Sequence, residues 1–280
     1  MSGQHTSAIV HPGVASRWRP SALSLASVVL HGAAGVAALI EPHAWPWSLA
    51  AIVANQAVLT AVGLWPRSQL LGPNITRLPP QSAARGEIAL TFDDGPDPEV
   101  TPRVLDLLEA SGVRATFFCI AEKAACHPEL TREIARRGHA VENHSNAHEH
   151  TFAFLLLGGL RRDLAMAQAT IAALTGRSPR FFRPPMGFRN PMLDPVLHEA
   201  GLAHVSWTRR GYDTRPWDEA RVAARLERGL AAGDILLLHD GHAACTREGT
   251  PLVLAVLPRL LDSARRLRLK AVTLHQAIDP

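Results

Sequence analysis

Hydrophobic positions divide the chain into a front section of long apolar runs and a longer section of short ones. Ser21 to Ile40 carries no charge and is rich in Ala, Leu and Val. After Glu41-Pro42-His43-Ala44-Trp45-Pro46 a second uncharged run extends from Trp47 to Trp65. Each run is about 19–20 residues, enough for a helix to cross a hydrocarbon core of ~30 Å. Trp45, Trp47 and Trp65 lie at the ends, where amphipathic rings favour the interface. Gly32, Gly35 and Ala38 offer small residues for close helix packing. The pattern predicts two transmembrane helices over residues 21–65, behind an N-terminal tail of residues 1–20. A signal peptide would account for the first run alone, and that run starts late and lacks a clean small-residue cleavage site. A buried soluble hairpin is the other alternative. Arg17 and Arg19 precede the first run and Arg67 follows the second, whereas the connection carries only Glu41. Positive-inside reasoning therefore predicts that both ends, and the large domain, face the cytoplasm.

Residues 66–86 include Pro73, Pro79 and Pro80 and read as a linker. From about Glu87 the pattern changes period. Candidate strands are Ile88–Phe92, Ala115–Ile120, Ala140–Asn143, Arg180–Arg183, His204–Thr208, Ile235–His239 and Ala271–Leu274. Amphipathic stretches alternate with them, at Val100–Ser111, Pro128–Arg137, Leu160–Thr175, Pro191–Ala200, Asp218–Ala232 and Pro251–Arg268. Alternation of this kind predicts an α/β domain over 87–280, with a parallel sheet covered by helices and closed or nearly closed into a barrel.

Composition changes this picture in three places. With 47% hydrophobic and 19% charged residues, the chain is apolar enough to support a membrane anchor. The net charge of +4 comes from scattered arginines, so nothing resembles a nucleic-acid footprint, though an anionic membrane surface would attract it. Three cysteines, Cys119, Cys126 and Cys245, form neither a disulfide framework nor a CxxC motif, and free thiols fit a reducing compartment.

In parallel barrels chemistry collects at the carboxyl ends of the strands. The first candidate strand ends in Thr91-Phe92-Asp93-Asp94-Gly95-Pro96, and the third runs into His144-Ser145-Asn146-Ala147-His148. The fourth ends in Arg183-Pro184-Pro185, the fifth leads to Asp213, and the sixth ends in His239-Asp240. Adjacent carboxylates closing an apolar strand need a compensating positive charge, unless Asp94-Gly95-Pro96 is simply a solvated turn. His144 and His148 are spaced i, i+4, which on a turn of helix would place both imidazoles on one face around a metal ion; two solvated histidines are the plainer alternative. Two histidines and a carboxylate leave coordination positions open for water and substrate, and Asp94 can supply that carboxylate. Asp93 can then take a proton from the water. Arg183 beside it would keep it ionised. His239 is either a satisfied core histidine or a proton donor whose tautomer Asp213 fixes.

Together these motifs resemble the NodB-homology polysaccharide deacetylases, the fourth carbohydrate esterase family. Thr91 to Pro96 matches the family's first motif letter for letter, and His144 to His148 its second. Arg183-Pro184-Pro185-Met186-Gly187, Trp207 to Asp213 and Leu236 to His239 resemble the remaining three, in family order, over about residues 87 to 275. The resemblance implies a deformed (β/α)7 barrel and a divalent metal, often zinc, on Asp94, His144 and His148. It implies Asp93 as general base held by Arg183, and His239 as general acid oriented by Asp213. It implies a substrate groove drawing on Pro185, Met186, Trp207, Trp217 and Leu238. The implied reaction is removal of N-acetyl groups from amino sugars of a polysaccharide or glycoconjugate. A cytoplasmic domain would instead favour a lipid-linked amino sugar at the inner leaflet, losing acetyl or formyl. A catalytically inactive sugar-binding homologue is the third reading, and the presence of the base, all three ligands, Arg183 and His239 argues against it. Two departures bear on the groove: Met186 stands where an aromatic residue is frequent, and Thr214 follows Asp213 where a tryptophan is usual, with Trp217 three residues on.

Overall fold

The computed structural model describes residues 17–216 and 218–278. Helix α1 spans Ala22–Ile40, with the Ser21 side chain accepting from the Ser24 N–H at its start, and α2 spans Trp45–Gly63. They pack as a hairpin joined by a short turn at Pro42–Ala44. Polar side chains link the pair, with Asn55 Nδ2 donating to Ser27 Oγ at 2.7 Å and, on the exposed side, Gln56 Nε2 lying 3.1 Å from His31 Nε2. The outer faces leave Val28, Val29, Leu39, Ile40 and Trp47 exposed. Both helices are long and apolar enough to cross a membrane. The base of the hairpin rests on the larger domain, where Arg189 N–H donates to Gly63 O and Trp18 Nε1 donates to Asp194 Oδ2.

The larger domain is an α/β half-barrel. Its strands are β1 (Glu87–Asp93), β2 (Thr116–Cys119), β3 (Ala140–Asn143), β4 (Phe181–Phe182), β5 (Ala203–His204), β6 (Arg209–Arg210), β7 (Ile235–His239) and β8 (Lys270–Val272). The sheet order is β5-β4-β3-β2-β1-β7-β6, with β8 added on β1, and the named strands pair in parallel. Side chains alternate across it as the strand period of two requires. Ile88, Leu90, Phe92, Leu236 and Leu238 face the helices, whereas Ala89, Ile235 and Leu237 face inward with Phe118 and Trp207.

Three features differ from the sequence expectation. Of the fifth candidate strand, His204–Thr208, only His204 falls in a named strand, β5, and β6 begins just past its end; between them Ser206 N–H bonds to Ile75 O instead of to a neighbouring strand. Residues 66–86 run along the open side of the sheet, with Ile75 bridging Val205, Leu71 and Leu78 buried, and a short helix at Pro80–Ala84. Prolines and polar residues mark irregular backbone, and that signal is the same whether the segment is loose or packed. The chain after β8 forms a helix, Leu274–Ile278, where a longer strand was expected.

Candidate metal centre and active site

β1 and β7 are paired so that Asp93 lies directly beside His239 at the carboxyl edge of the sheet. Asp93 points inward, and the chain turns at Asp94, whose φ of 71° swings its carboxylate toward the loop after β3. That turn is tightly packed: a Cβ on Gly241 would lie 2.1 Å from the Asp94 carbonyl oxygen, so only glycine fits there.

His144 and His148 meet Asp94 from a loop, not from the helical turn that their spacing suggested. Ser145 and His148 have φ values of 67° and 55°, and Ser145 N–H bonds to Asn143 Oδ1 while His148 N–H bonds to Ser145 Oγ. The side-chain bonds close a compact turn, which brings the two rings to 4.9 Å. Both Nε2 atoms lie 3.1 Å from Asp94 Oδ1. One ligand atom from each of the three residues lies within 4.8 Å of the others. His144 Nδ1 is 2.7 Å from the Arg183 carbonyl oxygen, which only accepts, so Nδ1 carries the proton. In the neutral ring the Nε2 lone pair then faces a carboxylate oxygen. Two electron-rich atoms at that separation call for a cation between them, and two imidazoles with one carboxylate are a donor set for a divalent ion. These residues therefore fit the metal that the resemblance implies.

Arg183 is wholly buried. Its Nη1 donates to Asp93 Oδ1 at 2.6 Å and to Thr91 Oγ1 at 2.9 Å, Nη2 to Ser206 O and Nε to Val205 O. The guanidinium lies 4.1 Å from the Phe118 ring centroid. His239 Nδ1 is 2.8 Å from Asp213 Oδ1, and its own N–H donates to Asp213 Oδ2. Burial lowers the His239 pKa, but Asp213, then Asp93 and Asp94, outweigh it and raise the ring above its ordinary value.

Asp93, Asp94, His144, His148 and His239 line a cavity of roughly 590 Å³, with Arg183 and Asp213 buried behind them. Met186 and Trp207 line it as expected. Pro185 is buried beneath, opening the short turn that aims Met186 outward with a φ of 57°. Leu238 does not line the cavity: strand alternation sends it to the helix side of the sheet, and Leu237 takes its place. Trp217 lies outside the described residues. Sequence reasoning missed His242, whose Nδ1 is 3.4 Å from Asp94 Oδ2, and Lys123, whose Nζ donates to the Asp94 carbonyl at 2.9 Å. The signal for His242 was its place three residues after His239, at the same strand end. Asp240 was missed as well; it is buried, accepts from Thr101 Oγ1 at 2.6 Å, and burial pushes its pKa up to about 7.

A family model described as polysaccharide deacetylase matches residues 81–205. A peptidoglycan-N-acetylglucosamine deacetylase of Bacillus cereus is 35% identical over 183 residues, covering 64% of this chain and 84% of that protein. A chitooligosaccharide deacetylase of Sinorhizobium fredii is 36% identical over 167 residues, covering 59% of this chain and 76% of that protein. Among solved structures, a family 4 carbohydrate esterase from Streptomyces lividans in complex with acetate superposes with a TM-score of 0.60 at 32% identity, over 66% of this chain and 91% of that one.

Proposed function

This chain belongs to the polysaccharide deacetylase family, carbohydrate esterase family 4, whose members are hydrolases of amide C–N bonds, and from that premise we propose that it removes acetyl groups from amino-sugar nitrogen. The observation that carries the reading is the convergence of Asp94, His144 and His148 within 4.8 Å, beside Asp93 and His239 on paired strands. Asp94, His144 and His148 would hold a divalent ion, with zinc suited to this donor set. When bound, such an ion supplies Lewis acidity to the amide carbonyl and makes a water acidic enough to be deprotonated near neutral pH.

The remaining work falls to the protein's own side chains. Asp93, aimed by the Arg183 Nη1 at 2.6 Å, accepts the proton of the attacking water. His239, its Nδ1 held by Asp213, presents Nε2 to the cavity and delivers a proton to the sugar nitrogen as the C–N bond breaks. The products are acetate and the free amine. The printed activities of the Bacillus and Sinorhizobium relatives, on peptidoglycan N-acetylglucosamine and chitooligosaccharides, support an N-acetylated hexosamine as the unit cleaved. Two apolar helices at the front of the chain support a membrane-anchored enzyme.

The test is release of acetate and formate by full-length protein in detergent, from N-acetylated oligosaccharides and lipid-linked N-acyl sugars, for the native protein and for Asp93→Asn. Acetate release that falls ~10²–10⁴-fold in Asp93→Asn with metal content unchanged is the expected result. Equal turnover by the variant would remove Asp93 from the mechanism.

A further inference from the structure

A second cavity, of roughly 620 Å³, adjoins the first and shares Trp207 and Arg210 with it. Arg67, Arg210, Arg221, Arg225 and Arg228 line it, and among the described residues no Asp or Glu does. Arg209 also borders it, but its guanidinium is committed to Asp234 and to the Arg228 and Gly229 carbonyls. Tyr212 stands at the centre of the cluster. The guanidinium carbons of Arg210, Arg215 and Arg225 lie 4.9, 5.2 and 4.9 Å from its ring centroid. A ring face attracts one or two cations, but several guanidinia gathered at one ring also repel one another. Arg210 Nε is buried with no hydrogen-bond partner among the described residues, an unmet donor in the wall between the two cavities. The complement of such a surface is an anion with several oxygens, and guanidinia engage phosphate through paired N–H···O bonds.

The location narrows the source of that anion. α2 ends at Gly63, and Trp65, Pro66 and Arg67 are the next residues to wall the cavity. Arg67 Nη1 is held toward it by the Thr208 carbonyl at 3.4 Å. Pro66 also packs on the active-site turn, since a Cβ on Gly187 would meet Pro66 Cβ at 2.9 Å. Trp65, which walls the cavity, is exposed, as is Leu64 before it. With α2 in a bilayer, the cavity opens at the level where tryptophan rings and headgroup phosphates lie.

We infer that the arginine-lined cavity binds the phosphate of a lipid-borne substrate. That substrate is an N-acylated amino sugar joined through a phosphodiester or diphosphate to a hydrocarbon chain that stays in the bilayer. The phosphate is held by Arg210, Arg225 and Arg228, and the sugar extends past Trp207 to the Asp94–His144–His148 centre. A neutral glycan strand carries no phosphate for such a site. The inference rests on the amide hydrolysis proposed above for its reaction, whereas the phosphate site stands on its own lining.

Binding and turnover test the two separately. Full-length protein in neutral detergent is titrated with farnesyl phosphate, farnesol, inorganic diphosphate and phosphatidylglycerol, for the native chain and for Arg225→Gln/Arg228→Gln. Farnesyl phosphate binding at least tenfold tighter than each of the other three, and weakened at least tenfold in the double variant with circular dichroism and metal content unchanged, is the expected result. Equal binding of farnesol, or of the double variant, would overturn the site. Equal binding of inorganic diphosphate would leave a free-anion site, and equal binding of phosphatidylglycerol a general headgroup contact; either would overturn the lipid-linked substrate. In the kinetic arm, N-acetylglucosamine joined to farnesyl through a diphosphate is compared with the neutral farnesyl glycoside. The expected ratio of kcat/KM exceeds tenfold and collapses in the double variant; a ratio near one would overturn the inference. No hydrolysis of any sugar, with farnesyl phosphate binding intact, would count against the deacetylase reading and not against the phosphate site.

Discussion

Arg183 shows how the site's chemistry depends on single buried groups. Its guanidinium is the counterion of Asp93, and burial lowers its own pKa against the pull of that carboxylate. Replacing it by Met leaves Asp93 buried and unpaired. Arg183→Met is therefore expected to lower the unfolding free energy by about 3–5 kcal/mol, read from the denaturation midpoint at unchanged slope. A loss under about 1 kcal/mol, the scale of an exposed pair, would contradict the coupling. His139 carries a pH signature away from the site. Burial, then Arg114 and Arg137, lower its pKa from 6.5 to about 4, and its Nδ1 accepts from the Ala115 N–H. Below pH 6.5 the unfolded chain takes up a proton that the folded chain refuses until about pH 4. The native protein should therefore lose stability as pH falls through that window, with no further loss from this group below it. His139→Asn keeps an acceptor but does not titrate. The stability difference between native and variant should thus move in the variant's favour from pH 7 to pH 4.5, and a difference that stays flat would contradict the assignment.

At the scale of strands and loops, what could be read in the sequence depended on whether the backbone was regular. β1, β3 and β7 were legible because apolar runs ended in polar residues, and Asp93, Asp94, Arg183, Asp213 and His239 fell where the strand ends predicted. His144 and His148 converge as expected, yet through left-handed residues and side-chain turns, which spacing alone does not encode. The choice of Leu238 for the groove failed for a reason that the strand period already contained: Leu237 and His239 share a face, so Leu238 must take the other. Leu238→Ala is accordingly expected to cost about 2–5 kcal/mol of stability and leave KM unchanged. Leu237→Ala should raise KM for the sugar. The opposite assignment of the two effects would contradict the facing. His242 and Lys123 went unread because each reaches Asp94 from a loop or a helix that no motif marks.

For the whole molecule, the helical hairpin and the larger domain meet beside the site. The Gly63 carbonyl takes the Arg189 N–H, and Pro66 lies against Gly187 and Trp207. The segment between them was read as a linker, and it closes the side of the half-barrel that β5 and β6 leave unpaired. Its position fixes the cavity relative to the end of α2. None of this was legible beforehand, because packing of an irregular segment depends on partners more than a hundred residues away, such as Val205 and Gly233. The central claim, that Asp94, His144 and His148 hold the ion on which amide hydrolysis depends, is tested most directly by stripping the full-length protein of metal and titrating zinc back while acetate release and bound zinc are measured together. Activity that returns in proportion to the first equivalent of zinc per chain, with both lost in His148→Ala, is the result expected. Undiminished acetate release from stripped protein, or full zinc binding and activity in His148→Ala, would contradict it.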